Sequence, residues 1–254
     1  MDPEKTLETM PIESIFVRRR NVLMLRGQFT PLYTDYYLHL MQHGVRYPEH
    51  LDSTLKEFLA MLALHLVARP WTETIAWTVN LRAPRANFFA TGTSLGQVIT
   101  GRCFTENVRE SPGNQFYQQT KTPRSDSRHS TLEVEGADAL DWIETLYEKS
   151  EQRPGKAFRL PDETYLLLAA QPDYDPAWLE SLDTAAAANI EKREETNLIE
   201  TRSFRFHCHC TLDRILPILG GWRNQPDELF QGEHEITIEC PRCAARYLVT
   251  RDMI

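Results

Sequence analysis

The hydrophobic positions of this 254-residue chain change period several times. The opening "IFVRRRNVLMLRGQF" reads as an extended segment broken by a basic turn. "YTDYYLHLMQHG" reads as a helix stopped at Gly44, a residue that takes the left-handed helix-terminating conformation without a Cβ clash. The strongest helical signal is "PEHLDSTLKEFLAMLALHLVARP". There Leu51, Leu55, Phe58, Leu59, Leu62 and Leu66 recur at three- and four-residue spacing until Pro70. A helix so apolar is expected to lie buried against a sheet. In "TETIAWTVNL" the period falls to two: Ile75, Trp77, Val79 and Leu81 alternate with Thr74, Ala76, Thr78 and Asn80, the pattern of a half-buried strand. "ANFFAT" and "GQVITGRCF" predict further strands, with Gly92 and Gly96 as breaks.

From Glu110 to Ser130 the text "ESPGNQFYQQTKTPRSDSRHS" is polar and rich in turn formers, which predicts a long exposed loop. "ADALDWIETLYEKSEQRP" returns to helix with Leu140, Ile143 and Tyr147 in register, and "ETYLLLAAQP" predicts a buried strand. "PAWLESLDTAAAANIEKREETNLIE" is helix-prone. Its apolar side is thin, however: Trp178, Leu182 and Ala186, then charge until Leu198, as in a weakly held helix or linker. "FRFHC" and "HEITIEC" alternate like strands into their cysteines. The class that follows is α+β. It comprises an N-terminal sheet-and-helix core domain over 1–175, a helical linker over 176–203 and a small C-terminal zinc-binding domain over 204–254.

Composition narrows the function classes. Apolar residues make up 41%, charged residues 25%, and the formal net charge is −8, which disfavours electrostatic capture of nucleic acid or anionic lipid. The acidic start "MDPEKTLETMPIE" lacks the apolar core of a signal peptide, and the longest apolar stretch, Phe58 to Ala68, is too short to span a bilayer. The expectation is a cytoplasmic protein without membrane or nucleic-acid partners. In that compartment five cysteines point to metal or redox chemistry before structural disulfides.

Four of the five cysteines fall in the last fifty residues, as Cys208 and Cys210, then Cys240 and Cys243. Two close pairs from distant parts of a chain can close a zinc tetrahedron at about 2.3 Å per sulfur, and an all-thiolate set selects zinc over hard cations. His207, His209 and His234 crowd the same region, but four cysteines already complete the shell, leaving the histidines to flank it. Cys103, alone in a predicted strand, reads as a small buried apolar residue. A saturated metal has no open position for catalysis, "CPRC" follows a strand rather than starting a helix, and no phosphate loop appears, so an enzyme is not expected. Arg242 and Arg246 flank the second pair, but Asp227, Glu228, Glu233, Glu235 and Glu239 surround them, which again speaks against nucleic acid. Spacing alone leaves a static zinc-bearing binding module as a sufficient reading.

"FHCHCTLDRILPILGG" and "EHEITIECPRCAARYLV", including Tyr247, resemble the C-terminal module of the redox-regulated 33 kDa chaperonin family, heat-shock protein 33. "NVLMLRGQF", "LKEFLAMLALHLVARP", "TIAWTVNL" and "LYEKSEQRPGKAF" are similar in order and character to that family's N-terminal domain. The resemblance implies an ATP-independent holdase chaperone of the stress response. One Zn2+ per chain on Cys208, Cys210, Cys240 and Cys243 keeps the reduced form inactive. Oxidation joins Cys208 to Cys210 and Cys240 to Cys243, expels zinc, melts the linker and exposes apolar surface to unfolding client proteins; the family also suggests a homodimer on activation. Two features depart from the family pattern: the polar stretch around "QQTKTPRSDSRHS" stands where a glycine-rich strand region is expected, and Thr211 where a serine is common. The alternatives are the static module, a diverged relative without the switch, and a thiol-disulfide oxidoreductase using "CPRC".

Overall fold

Strands β1 (Met10–Val17) and β2 (Val22–Gln28) form an antiparallel hairpin around the Arg18–Arg20 turn, closed by Asn21 in the left-handed region at φ 50°. Helices α1 (Thr30–Gln42) and α2 (Glu49–Val67) follow, and Gly44 ends the first with φ 61°. The computed structural model describes residues 9–108 and 110–254, so the acidic start, expected not to be a signal peptide, lies up to residue 8 outside the described residues. Among the described residues no helix is long and apolar enough to cross a membrane.

Strands β3 (Thr74–Leu81), β4 (Ala86–Thr93) and β5 (Val98–Phe104) form the expected meander. The segment expected as a long exposed loop is instead a hairpin of β6 (Gln115–Thr122) and β7 (Ser125–Glu133), with β6 paired to β3. The misreading has a physical cause. Phe116, Gln118 and Thr120 point inward at period two, and a buried glutamine and threonine do not register as a hydrophobic pattern. Gln118 is satisfied in the interior by the Trp77 indole, which donates to its Oε1 at 2.8 Å.

Helix α3 (Ala139–Lys149), capped by Asp138, leads to the hairpin of β8 (Gly155–Leu160) and β9 (Thr164–Ala170). Three short helices come next: α4 (Pro176–Ser181), α5 (Thr184–Ala187) and α6 (Ile190–Arg193). The predicted helical linker stops there, because β10 (Thr196–Phe206) is strand throughout. Its β-branched and aromatic residues suit a pleated surface, and Arg202, Phe204 and Phe206 turn inward in strict alternation. The chain ends with α7 (Leu212–Ile215), a 3-10 turn at Leu216–Trp222, α8 (Pro226–Phe230) and the hairpin of β11 (Glu235–Glu239) and β12 (Arg246–Thr250).

Ten strands make one sheet in the order β7-β6-β3-β4-β5-β10-β1-β2-β9-β8. β10 is the seam. It runs antiparallel to β1, from Thr196 opposite Val17 to Phe204 opposite Met10. Its last two residues, Arg205 and Phe206, then pair in parallel with Val98 and Ile99 of β5. Buried Arg202 ties the seam to the end of α2, donating to Leu66 O at 3.0 Å and Arg69 O at 2.8 Å, where a cation complements the helix dipole.

Helix α2 is buried along most of its length, as expected. Phe58 packs against the rings of Trp77, Phe88, Phe116 and Trp142. Gly101 permits the close approach, since a Cβ there would lie 2.6 Å from Phe89 O and 3.0 Å from a Leu59 methyl.

A second, smaller core forms under α4–α6. The buried stripe is Leu179, Leu182, Ala187 and Ile190, packed on Ile15, Val17, Met24 and Leu168. The single-helix reading placed Trp178 and Ala186 in that stripe; breaking the segment into three helices rotates the buried face, and both are only partly covered. Helices this short do not persist alone in water, so packing holds them. Arg20 closes the base of this lid: its guanidinium donates to Asp175 Oδ2 at 2.7 Å and bidentately to Glu194 at 3.1 and 3.0 Å. The Lys156 ammonium donates to Glu180 O at 3.1 Å and Leu182 O at 2.6 Å, fixing the end of α4.

His65 on α2 lies fully buried, its Nδ1 3.2 Å from the Tyr147 hydroxyl and its Nε2 without a partner. Burial pushes its pKa well below the ordinary 6.5, and the positive charges of Arg69 and Arg153 push the same way. The proton is therefore favoured in the unfolded chain. The stability tied to neutral His65 is complete above pH 6.5 and is lost as pH falls below it, at up to about 1.4 kcal/mol per pH unit. Thermal melts at pH 7 and pH 5 should show a larger drop in Tm for the native chain than for His65→Gln.

Candidate metal centre

The last residues of β10 deliver the first cysteine pair. His207 N donates to Ile99 O of β5 at 2.9 Å, which fixes the chain one residue before Cys208. The second pair sits on the tip of the β11–β12 hairpin. Cys240 N donates to Ala245 O at 2.8 Å and Ala244 N to Cys240 O at 3.0 Å, so the turn folds Cys240 and Cys243 toward one point. Ala244 takes φ 63° in that turn, a conformation that costs an L-residue about 1 kcal/mol.

Cys208, Cys210, Cys240 and Cys243 converge, with all four sulfurs within 4.8 Å of one another. Cys208 Sγ lies 3.9 Å from Cys240 Sγ, and Cys210 Sγ 3.5 Å from Cys243 Sγ. A tetrahedron with metal–sulfur bonds of about 2.3 Å has edges of roughly 3.8 Å, so this donor set fits a tetrahedral metal ion. None of the four is in a disulfide. Their mutual contacts set which thiols ionise. Cys210 is lowered to about 7, first by its contact with Cys208 and further by Cys243 and Tyr247; Cys240 is also lowered, whereas Cys208 and Cys243 are raised by the same neighbours. A bound cation would allow all four to be thiolates together.

Of the histidines that crowd the sequence here, His207, His209 and His234 are exposed and do not join the converging group. The rings of His207 and His209 stack edge to face at 4.4 Å. Cys103 is buried in β5 opposite Phe88, and burial pushes its thiol up to about 12.

The contacts that sequence reasoning missed come from the core. Arg102 of β5 donates to Cys240 O at 2.9 Å and to Glu239 Oε2 at 2.9 Å. His39 of α1 holds Cys243 O at 2.8 Å through Nε2, which carries the donated proton. Arg246 N donates to His43 Nδ1 at 3.3 Å, and the Tyr247 hydroxyl donates to Cys210 O at 2.9 Å and Cys210 Sγ at 3.2 Å. A basic residue beside a strand cysteine and two histidines one helical turn apart carry no signal of a partner 138 to 204 positions away.

No family model matches the sequence, and no curated protein matches it. Solved structures do match. One is the 33 kDa chaperonin (heat shock protein 33 homologue) of Thermotoga maritima, at TM-score 0.69 and 12% identity, covering 97% of this chain and 96% of that one. The fold is that of heat-shock protein 33. The α+β architecture expected above therefore holds from the first strand to the cysteine hairpin, at an identity too low for sequence alone to establish it.

Replacing Arg102 by Met removes a charged donor worth about 1.5 kcal/mol from the Cys240 carbonyl. Amide hydrogen exchange over residues 240–246 should quicken about tenfold in the reduced protein, while exchange in α2 stays as it was.

Proposed function

We propose that this chain is a redox-regulated, ATP-independent holdase chaperone whose reduced, zinc-loaded form is inactive. The observation that carries the reading is the convergence of Cys208, Cys210, Cys240 and Cys243 at the end of the seam strand, in a chain with the heat-shock protein 33 fold. In the proposed organisation residues 1–175 are the client-binding core, 176–203 the metastable linker and 204–254 the redox switch. Zinc, one per chain, would be held by these four sulfurs as thiolates and would offset two of their four negative charges. Four thiolates leave no open coordination position, which supports a role without catalytic turnover.

Peroxide or hypochlorous acid takes two electrons for each disulfide formed, Cys208 with Cys210 and Cys240 with Cys243. Each bond turns two anionic donors into a neutral pair that no longer retains zinc. The core of this module is small, consisting of Cys208, Cys240, Cys243 and Ala245 with Cys210 and Tyr247 packed beside them, so little else keeps it folded. Its loss frees the end of β10 and the carbonyls held by Arg102 and His39. The lid, which ends at Glu194 just before β10, then lifts from Ile15, Val17, Met24 and Leu168, and that apolar face takes up unfolding proteins. The same reading places the protein in the reducing cytoplasm and carries over the family's pairing of two copies on activation.

One observation favours the static-module alternative: Arg102 and His39 grip the cysteine hairpin directly from the core. Peroxide with mild heat separates the two. The holdase reading expects release of one zinc per chain together with suppression of client aggregation; retained zinc, or release without suppression, favours the static module. Substituting Arg20 with Met should make the lid open more readily. Proteolytic cleavage within residues 176–195 is expected to rise severalfold, and the oxidant dose that activates the protein to fall.

A further inference from the structure

The four sulfurs are not equally reachable. Cys208, Cys240 and Cys243 are 8%, 3% and 1% exposed, whereas Cys210 is partly open to solvent. A groove of about 450 Å3 runs to it between α1 and the start of α7, walled by Leu38, Gln42, His43, Phe206, Leu212 and Tyr247. Cys208 also borders this groove, but it is nearly covered; Cys240 and Cys243 do not border it. The Tyr247 hydroxyl, 3.2 Å from Cys210 Sγ, holds that sulfur at the groove floor, and Cys243 Sγ lies in contact with it at 3.5 Å, away from the groove lining.

We infer that Cys210 is the entry point for a small hydroperoxide and that Cys243 is its first disulfide partner. The inference rests on the redox-switch reading and specifies where that switch is struck. The Cys210 thiolate attacks the near oxygen of the hydroperoxide and the O–O bond breaks. Sulfur, oxidised by two electrons, becomes a sulfenic acid, and the alkoxide or hydroxide leaves with a proton from solvent at the groove mouth. The Cys243 thiolate then attacks the sulfenic sulfur, forming the S–S bond and expelling hydroxide, which leaves as water. This first bond crosses between the two pairs. Attack by the Cys240 thiolate on the Cys243 sulfur would pass it on as Cys240–Cys243 and return the Cys210 thiolate, so a crossed disulfide is a transient on the way to in-pair bonds.

The test uses the full reduced chain with its metal content measured first, so that absence of metal, which would sink the switch reading itself, is seen separately. Less than one equivalent of hydrogen peroxide is added in the presence of dimedone, and adducts are located by peptide mass spectrometry. The expected result is an adduct on Cys210 several-fold above those on the other three. Quenching the same reaction early without dimedone should give a Cys210–Cys243 cross-linked peptide before any Cys240–Cys243 bond. Gln42→Trp and Leu212→Trp, which fill the groove without touching a sulfur, should slow metal release by peroxide about fivefold or more while metal content before oxidation stays at the native value. First adducts on Cys208, Cys240 or Cys243, an even spread, or unchanged release in both groove variants would each overturn the inference.

Discussion

Strand β10 is hydrogen-bonded on both sides, to β1 along most of its length and to β5 at its last two residues. Without it the sheet would be two separate pieces, β7-β6-β3-β4-β5 and β1-β2-β9-β8. The same strand carries Arg202, which satisfies carbonyls at the end of the central helix, and it runs directly into Cys208. The cysteine module is thus attached to the element that closes the core. A change in the fold of residues 208–250 acts on the end of a strand already paired twice, and fraying is cheapest at that end, where the parallel pairing covers only Arg205 and Phe206.

The module and the core meet through backbone carbonyls as well as side chains. Cys240 O and Cys243 O accept from Arg102 and His39, so at these two contacts the core reads the shape of the cysteine hairpin, while Arg102 also pairs with the Glu239 carboxylate. Thiol chemistry and docking are separated: a sulfur can change its bonding while the carbonyl of the same residue is still held. Two kinds of contact, sulfur to sulfur on one side of the hairpin and hydrogen-bonded on the other, together hold it in place.

Much of this architecture could be read from the residues. The period-two run around Trp77 and the apolar stripe of Leu51 to Leu66 are strong signals because burial repeats at the period of the element. The cysteine spacing placed four donors at one centre because ligand geometry leaves few other arrangements. The hairpin at Gln115–Glu133 was illegible because its inward residues include Gln118 and Thr120, whose burial depends on Trp77, Glu151 and neighbouring strands far along the chain. β10 was misread at its start because Thr196 to Glu200 is mostly exposed and charged nearby; only pairing with β1 makes it strand. The thin stripe assigned to the linker failed for a related reason: the bends capped by Asp175 and Asp183 redirect each helix, and periodicity counted across them loses its phase.

The clasp at the lid's base has an architectural consequence. Asp175 N donates to Arg20 O and Arg18 N to Glu195 O, so both feet of the lid stand on one three-residue turn. Between those feet the lid is an insertion joining β9 to β10, and its contour length hardly enters the geometry of the sheet. Loop-closure entropy grows only logarithmically with length, by about 0.6 kcal/mol per doubling. Relatives of this fold could therefore lengthen, shorten or recompose this segment while keeping the same strand order, so that the covering element diversifies faster than the surface it covers.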